Sequence, residues 1–178
     1  MEHKLRELFP EFDLIRDTRL RKQALTCWMD AMERGGWTLK DLDRLPFTLL
    51  IPDCKVNLRT HVRAVTQTAM AAAELLMQHY GDEIKIDMDI LIAGGLLHDI
   101  GKLLEYSYDG DRVVKGATGH LLRHPFTGVG LAMKHDLPDT VVHIIATHAK
   151  EGEGGYRTPE AIIVHYADFM NFKSLSGG

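Results

Sequence analysis

The sequence predicts an all-α protein, and three observations carry that reading. Apolar residues recur at helical spacing through several long stretches. Most of those stretches open on a capping Asn or Asp or on a proline, and a single short segment carries a hairpin signal.

Within 16–36, Leu20, Ala24, Trp28 and Ala31 share one helical face, and the run stops at Gly35-Gly36. A short helix is predicted over 38–47, with Thr38 as its cap and Asp41 three positions later as a loose capping box. Pro46 and Pro52 bracket a linker. The clearest helix runs from an Asn57 cap through an alanine-rich centre to Gly81, and a second starts at an Asp87 cap and ends at Asp99. The segment 106–114 reads as a hairpin turning at Asp109-Gly110. Pro125, Pro138 and Pro159 each stand where a first helical residue would be, which predicts helices over about 125–135, 138–149 and 159–172. Between the last two, 150–158 is glycine-rich and reads as a mobile loop, and 174–178 reads as a flexible tail.

The 178 residues suffice for one well-filled domain, and no internal repeat or second domain is visible. Hydrophobic residues make up 45% and charged residues 26%, with a net charge of −4, so a nucleic-acid-coating protein with a basic excess is not expected. An anionic small molecule in a local basic pocket fits that balance. Two cysteines, Cys27 and Cys54, in no metal-like pair suit a reducing compartment. The charged N-terminal segment has no apolar core, and no stretch reaches the about 18 apolar residues of a membrane span. A cytoplasmic protein without membrane contact is therefore expected, and a homodimer is compatible with the sequence.

The segment "GGLLHDIGK" (94–102) ends an apolar run on His98 and Asp99. Carrying an imidazole and a carboxylate into a core is costly unless something pairs with them. Further ligand-type residues fall on successive predicted helices: His61 early in the long one, His124 at a helix start, His148 at a helix end and Asp168 within the apolar "AIIVHYADFMNF". Four imidazoles and two carboxylates suit two divalent ions, with mixed N/O ligation favouring Mn, Fe, Ni, Co or Zn over Mg. His3, His79, His135 and His143 read as ordinary surface or core histidines, and His120 as a loop histidine.

The pattern His61, His98-Asp99, His124, His148, Asp168 around "LLHDIGK" resembles the HD-domain metal-dependent phosphohydrolases, over about Leu58 to Phe172. "HPFTGVGLA" (124–132) is similar to a segment of ribonuclease Y and of HD-GYP phosphodiesterases. "IIATHAKEG…TPEAIIVHYAD" is similar to the closing segment of ribonuclease Y and of HD-type 3′→5′ exoribonucleases, with His165 three residues before Asp168. "GEGGYR" resembles the GYP loop only in part, and His148-Ala149 stands where many relatives carry two histidines, which argues against a third metal. The resemblance implies an HD helical bundle over 56–173 behind an N-terminal helical extension or cap, 1–55. It implies that His61, His98, Asp99 and Asp168 hold one metal, that His124 and His148 hold a second, and that Asp99 bridges them.

It further implies hydrolysis of a phosphate ester of a nucleotide or short oligonucleotide, with Asp99 and Lys102 as catalytic residues. Lys102, one turn past Asp99, would reach a phosphate oxygen. Arg123 and Arg157 would contact phosphate and Tyr156 would stack on a base, within a lid formed by 150–158. Two other classes share the ligand frame: mixed-valent di-iron oxygenases and non-catalytic regulatory HD modules.

Overall fold

The computed structural model describes residues 1–177; Gly178, the end of the segment read as a tail, lies outside them. Helices α1 (Glu2–Leu8) and α2 (Thr18–Gly35) flank a 3₁₀ turn, Pro10–Leu14. The long α3 (Leu58–Tyr80) leads to α4 (Met88–Leu97) and the single-turn α5 (Lys102–Glu105). Strands β1 (Tyr106–Asp109) and β2 (Arg112–Lys115) form one antiparallel hairpin. Then come α6 (Ala117–Leu121), α7 (His124–Lys134), α8 (Asp139–Thr147) and α9 (Pro159–Ser176). Among the described residues, no helix is long and apolar enough to cross a membrane.

The caps explain most of the boundaries. Asp17 accepts from the Arg19 and Leu20 amides, Asn57 from Thr60 and Asp87 from Asp89 and Ile90, so each satisfies amides that the helix itself leaves free. Helix α4 is the axis of the fold. Residues Leu91 to Leu97 are all buried, because α2, α3, α8 and α9 surround it. One cluster of core residues joins α1, α2 and the 3₁₀ turn to α4 and α7, and a second fills the space between α3, α4, α8 and α9. The N-terminal aromatic residues complete this packing within the chain. Trp28 donates its indole N–H to the Leu96 carbonyl at 2.9 Å, and Trp37 donates to that of Leu103 at 2.7 Å. These bonds brace the backbone on either side of the His98-Asp99 turn.

Several elements depart from the sequence reading. Only Asp41–Asp43 is helical within 38–47, and it is 3₁₀; Asp41 does accept from the Thr38 amide and hydroxyl, as the capping box implied. The hairpin turns at Gly110-Asp111, one residue later than expected, because Asp109 pairs with Arg112. Helix α8 stops at Thr147, which leaves His148 as its cap. Helix α9 continues through Ser176 to a Gly177 cap, into the segment read as a tail.

Candidate metal centre

Five elements bring six predicted ligands to one place. His61 is in the first turn of α3, His98 and Asp99 follow α4, His124 starts α7, His148 caps α8 and Asp168 lies on α9. Ligand atoms of His61, His98 and Asp99 lie within 4.8 Å of one another, and so do those of Asp99, His124 and His148. Asp99 belongs to both groups. Asp168 Oδ1 stands beside the first, 3.1 Å from His61 Nε2 and 4.0 Å from His98 Nε2.

The outer nitrogens of three rings fix their tautomers. His98 Nδ1 is 2.7 Å from the Gly95 carbonyl and His148 Nδ1 is 2.8 Å from the Ile145 carbonyl. His124 Nδ1 is 3.0 Å from Glu105 Oε2. Carbonyls and carboxylates only accept, so each Nδ1 carries the proton and each Nε2 presents a bare lone pair to the centre. His124 Nε2 and His148 Nε2 then face each other at 3.2 Å. Two bare lone pairs that close repel, and a cation between them removes the repulsion. In addition, His61 Nε2, His98 Nε2 and Asp99 Oδ1 are buried without an aligned hydrogen-bond partner. Buried ligand-type atoms without aligned partners, gathered around the shared Asp99, fit a divalent ion.

Electrostatics prepares the same state. Burial pushes the Asp99 carboxyl up, but the Lys102 ammonium prevails and holds it well below the usual carboxylate range. Asp168 is likewise held down, by its contact with His61, against its burial. Both carboxylates are therefore ionised at neutral pH. Burial pushes His124 down to about 4, against the pull of Glu105 and Asp99, so its ring is neutral. This has a sign that can be checked in the metal-free protein. Between pH 6.5, the ordinary histidine value, and about 4, the unfolded chain binds a proton that the folded His124 refuses. Stability is expected to fall across that window by something on the order of 3 kcal/mol. A thermal-unfolding series should show the loss in the wild type and a flatter profile in His124→Asn.

Two residues whose part in the site the sequence reading missed complete it. Glu105 is 4% exposed and also accepts the His124 backbone amide at 2.7 Å, so it caps α7 and orients its ring together. An acid directly after "KLL", in an otherwise buried turn, was the available signal. Phe47 stacks on His61, with ring centroids 4.3 Å apart, and its carbonyl accepts from Lys102 Nζ at 2.6 Å. Phe47 is one of the N-terminal aromatic residues that the sequence leads one to expect against the ligand-bearing helices, with Phe9, Phe12, Trp28 and Trp37, but nothing in the sequence places it on His61 in particular.

A cavity of about 650 Å³ opens over the cluster. Asp99, His124 and Asp168 reach it, Lys102, Lys115, Arg123 and Lys150 bring cations, and Phe47, Tyr106, Phe169 and Phe172 form much of its wall. Lys102 is buried here and bonds Asp99 Oδ2 at 2.6 Å. Arg123 pairs with Glu105 at 3.3 Å and Glu151 at 3.1 Å. Tyr156 and Arg157 do not line the cavity. Arg157 turns inward and donates to the Thr147 carbonyl at 2.8 Å, while Tyr156 is 77% exposed beside His143. The loop contributes Lys150 and Glu151 instead, and it is tied down by Arg157 and by the Arg123–Glu151 pair. His120, on α6, is exposed.

A family model described as HD domain matches residues 58–170, which span every one of the six ligand-type residues. The chain belongs to the HD-domain family. HD domains bind divalent metals, and the two His/Asp groups are the matching feature of this one. Over 116 residues, 64% of this chain, it is 36% identical to a dihydroneopterin 2′,3′-cyclic phosphate phosphodiesterase of Methanocaldococcus jannaschii, 45% of which is covered. It is 35% identical over 89 residues to ribonuclease Y of Desulforamulus reducens, which covers 50% of this chain and 15% of that one. Against ribonuclease Y of Aquifex aeolicus it is 30% identical over 115 residues, 65% of this chain and 17% of the relative. The chain thus spans less than half the length of these curated relatives. No solved structure matches the chain significantly.

Proposed function

We propose that this HD domain is a metal-dependent phosphodiesterase acting on a small nucleotide-like phosphate ester. The observation that carries the proposal is the apposition of bare Nε2 atoms and an unpartnered Asp99 oxygen at the base of a cation-lined cavity. His61, His98, Asp99 and Asp168 would hold one divalent ion, and His124, His148 and Asp99 a second. The predominance of imidazole favours Mn, Fe, Co, Ni or Zn. Divalent ions bound there supply a nucleophile at neutral pH and neutralise phosphate charge.

The chain's own residues do the rest. Lys102 anchors Asp99 and presents an ammonium to the cavity, Glu105 fixes the His124 ring, and Lys115, Arg123 and Lys150 attract an anion. Those cations favour a phosphate ester over the neutral substrate of an oxygenase. The phosphodiesterase relative, which acts on a cyclic phosphate by its name, supports the same reading.

The test is hydrolysis of bis(p-nitrophenyl) phosphate and 2′,3′-cyclic nucleotides by protein loaded in turn with Mn, Fe, Co, Ni and Zn, with metal content measured by mass spectrometry. Turnover with two ions per chain is expected. Lys102→Ala is expected to lower kcat about 10²–10³-fold at unchanged metal content. No turnover with any of the five metals overturns the activity, one ion per chain overturns the dinuclear site, and wild-type kcat in Lys102→Ala removes Lys102 from the mechanism.

A further inference from the structure

The cavity over the ligand cluster is made of two unlike parts. One holds the ligands and the cations. The other is apolar, with Leu49 and Leu50 at one edge and two rings of α9: Phe169 directly follows Asp168, and Phe172 lies one helical turn beyond it. Phe47 closes the arrangement from the opposite side, edge-on to Phe172 at a centroid distance of 6.2 Å and an interplanar angle of 70°. Because Phe47 also stacks on His61, the apolar part begins one ring away from a metal-ligand candidate.

Phe169 and Phe172 are only half-buried although they border a space of about 650 Å³. Two half-open rings side by side in a cleft that also holds cations gain from cover by something flat and apolar. Resting on the phosphodiesterase reading above, we infer that Phe169 and Phe172, backed by the buried Phe47, form a subsite for a planar heterocyclic ring carried by the phosphodiester. Aromatic side chains recognise such a ring by offset and edge-to-face contact, which an alkyl chain does not exploit. The cavity volume is within the range that encloses one small ligand, about 300–1,000 Å³. Glu105 and Glu151 at the cationic side disfavour a running chain of phosphates. The substrate class is therefore a single ring-bearing phosphodiester rather than a polymer.

The test uses the Mn-loaded full chain and two kinds of measurement. Calorimetry compares binding of 2′-AMP with that of ribose 5-phosphate, which lacks the ring, and kinetics compare 2′,3′-cyclic AMP with ethylene phosphate. Wild type is expected to prefer the ring-bearing member of each pair. Phe172→Ala is expected to weaken 2′-AMP binding about 5- to 150-fold while ribose 5-phosphate binding is unaffected. Phe172→Leu keeps an apolar side chain without a π face and is expected to lose most of the same preference, which guards against a mere packing effect. Equal loss for both ligands, or wild-type preference in Phe172→Leu, overturns the ring subsite. If 2′-AMP preference depends on Phe172 but no phosphate ester is hydrolysed, the subsite stands and the phosphodiesterase reading falls. If bis(p-nitrophenyl) phosphate is hydrolysed without any preference for the ring, the reading stands and the subsite falls.

Discussion

Asp99→Ala is expected to empty both halves of the metal centre at once. No other residue belongs to both groups of ligand atoms. The substitution also strips Lys102 of its carboxylate partner. Lys102 is itself buried, and its other partner is the neutral Phe47 carbonyl. Removing one member of a buried ion pair costs about 3–5 kcal/mol, because the remaining charge is left uncompensated. Metal-free Asp99→Ala should therefore melt well below the wild type, and loss of metal alone would not separate ligation from unfolding. Asp99→Asn supplies that separation. It keeps the volume and a carbonyl oxygen for Lys102 but loses the charge, so it should fold, shown by near-native circular dichroism, yet bind less than one ion per chain. Two tightly bound ions in Asp99→Asn would take Asp99 out of the shared position.

The ligands were legible because a buried ionisable group leaves a local mark. His98-Asp99 ends an apolar run, His124 precedes a proline, and Asp168 interrupts "AIIVHYADF". Helix starts at Asn57 and Asp87 were legible for the same reason, since capping is a contact within three residues. What depends on contacts across the fold left no such mark. Glu105 meets His124 only after the hairpin and α6 have turned the chain back, and Phe47 reaches His61 from a linker. The aromatic wall was half visible: Phe169 and Phe172 sit in the last predicted helix, but period alone does not say that they face a cavity. The direction of a loop side chain is less determined still, and for this reason Arg157, read as a phosphate contact, instead fastens the loop to Thr147. Helix α1 is only 7 residues long, too short for a periodic pattern to stand out, and it is held by Leu5 in the core.

Gly101→Ala, one methyl group in the turn between α4 and α5, is expected to be among the most damaging single changes outside the ligands. A Cβ on Gly101 would lie 2.0 Å from the His124 carbonyl oxygen and 2.8 Å from the Gly128 amide nitrogen. Both are backbone atoms of α7, so no rotamer change relieves the clash, and α7 has to move as a body. That helix carries His124, whose Nε2 lies 3.3 Å from Asp99 Oδ1 and 3.2 Å from His148 Nε2. It is held from the other side by the paired bonds of Glu105 to the His124 amide and ring. Movement of α7 thus breaks one cluster while His61 and Asp168, on α3 and α9, and His98, just after α4, stay in place. The expected result is a loss of about 3 kcal/mol in chemical denaturation, the upper end of typical overpacking costs. It should be accompanied by a drop from two ions to one in metal titration, with the retained ion still dependent on His61. A variant that keeps both ions and melts like the wild type would show that the approach of α7 to this turn is not what sets the position of His124.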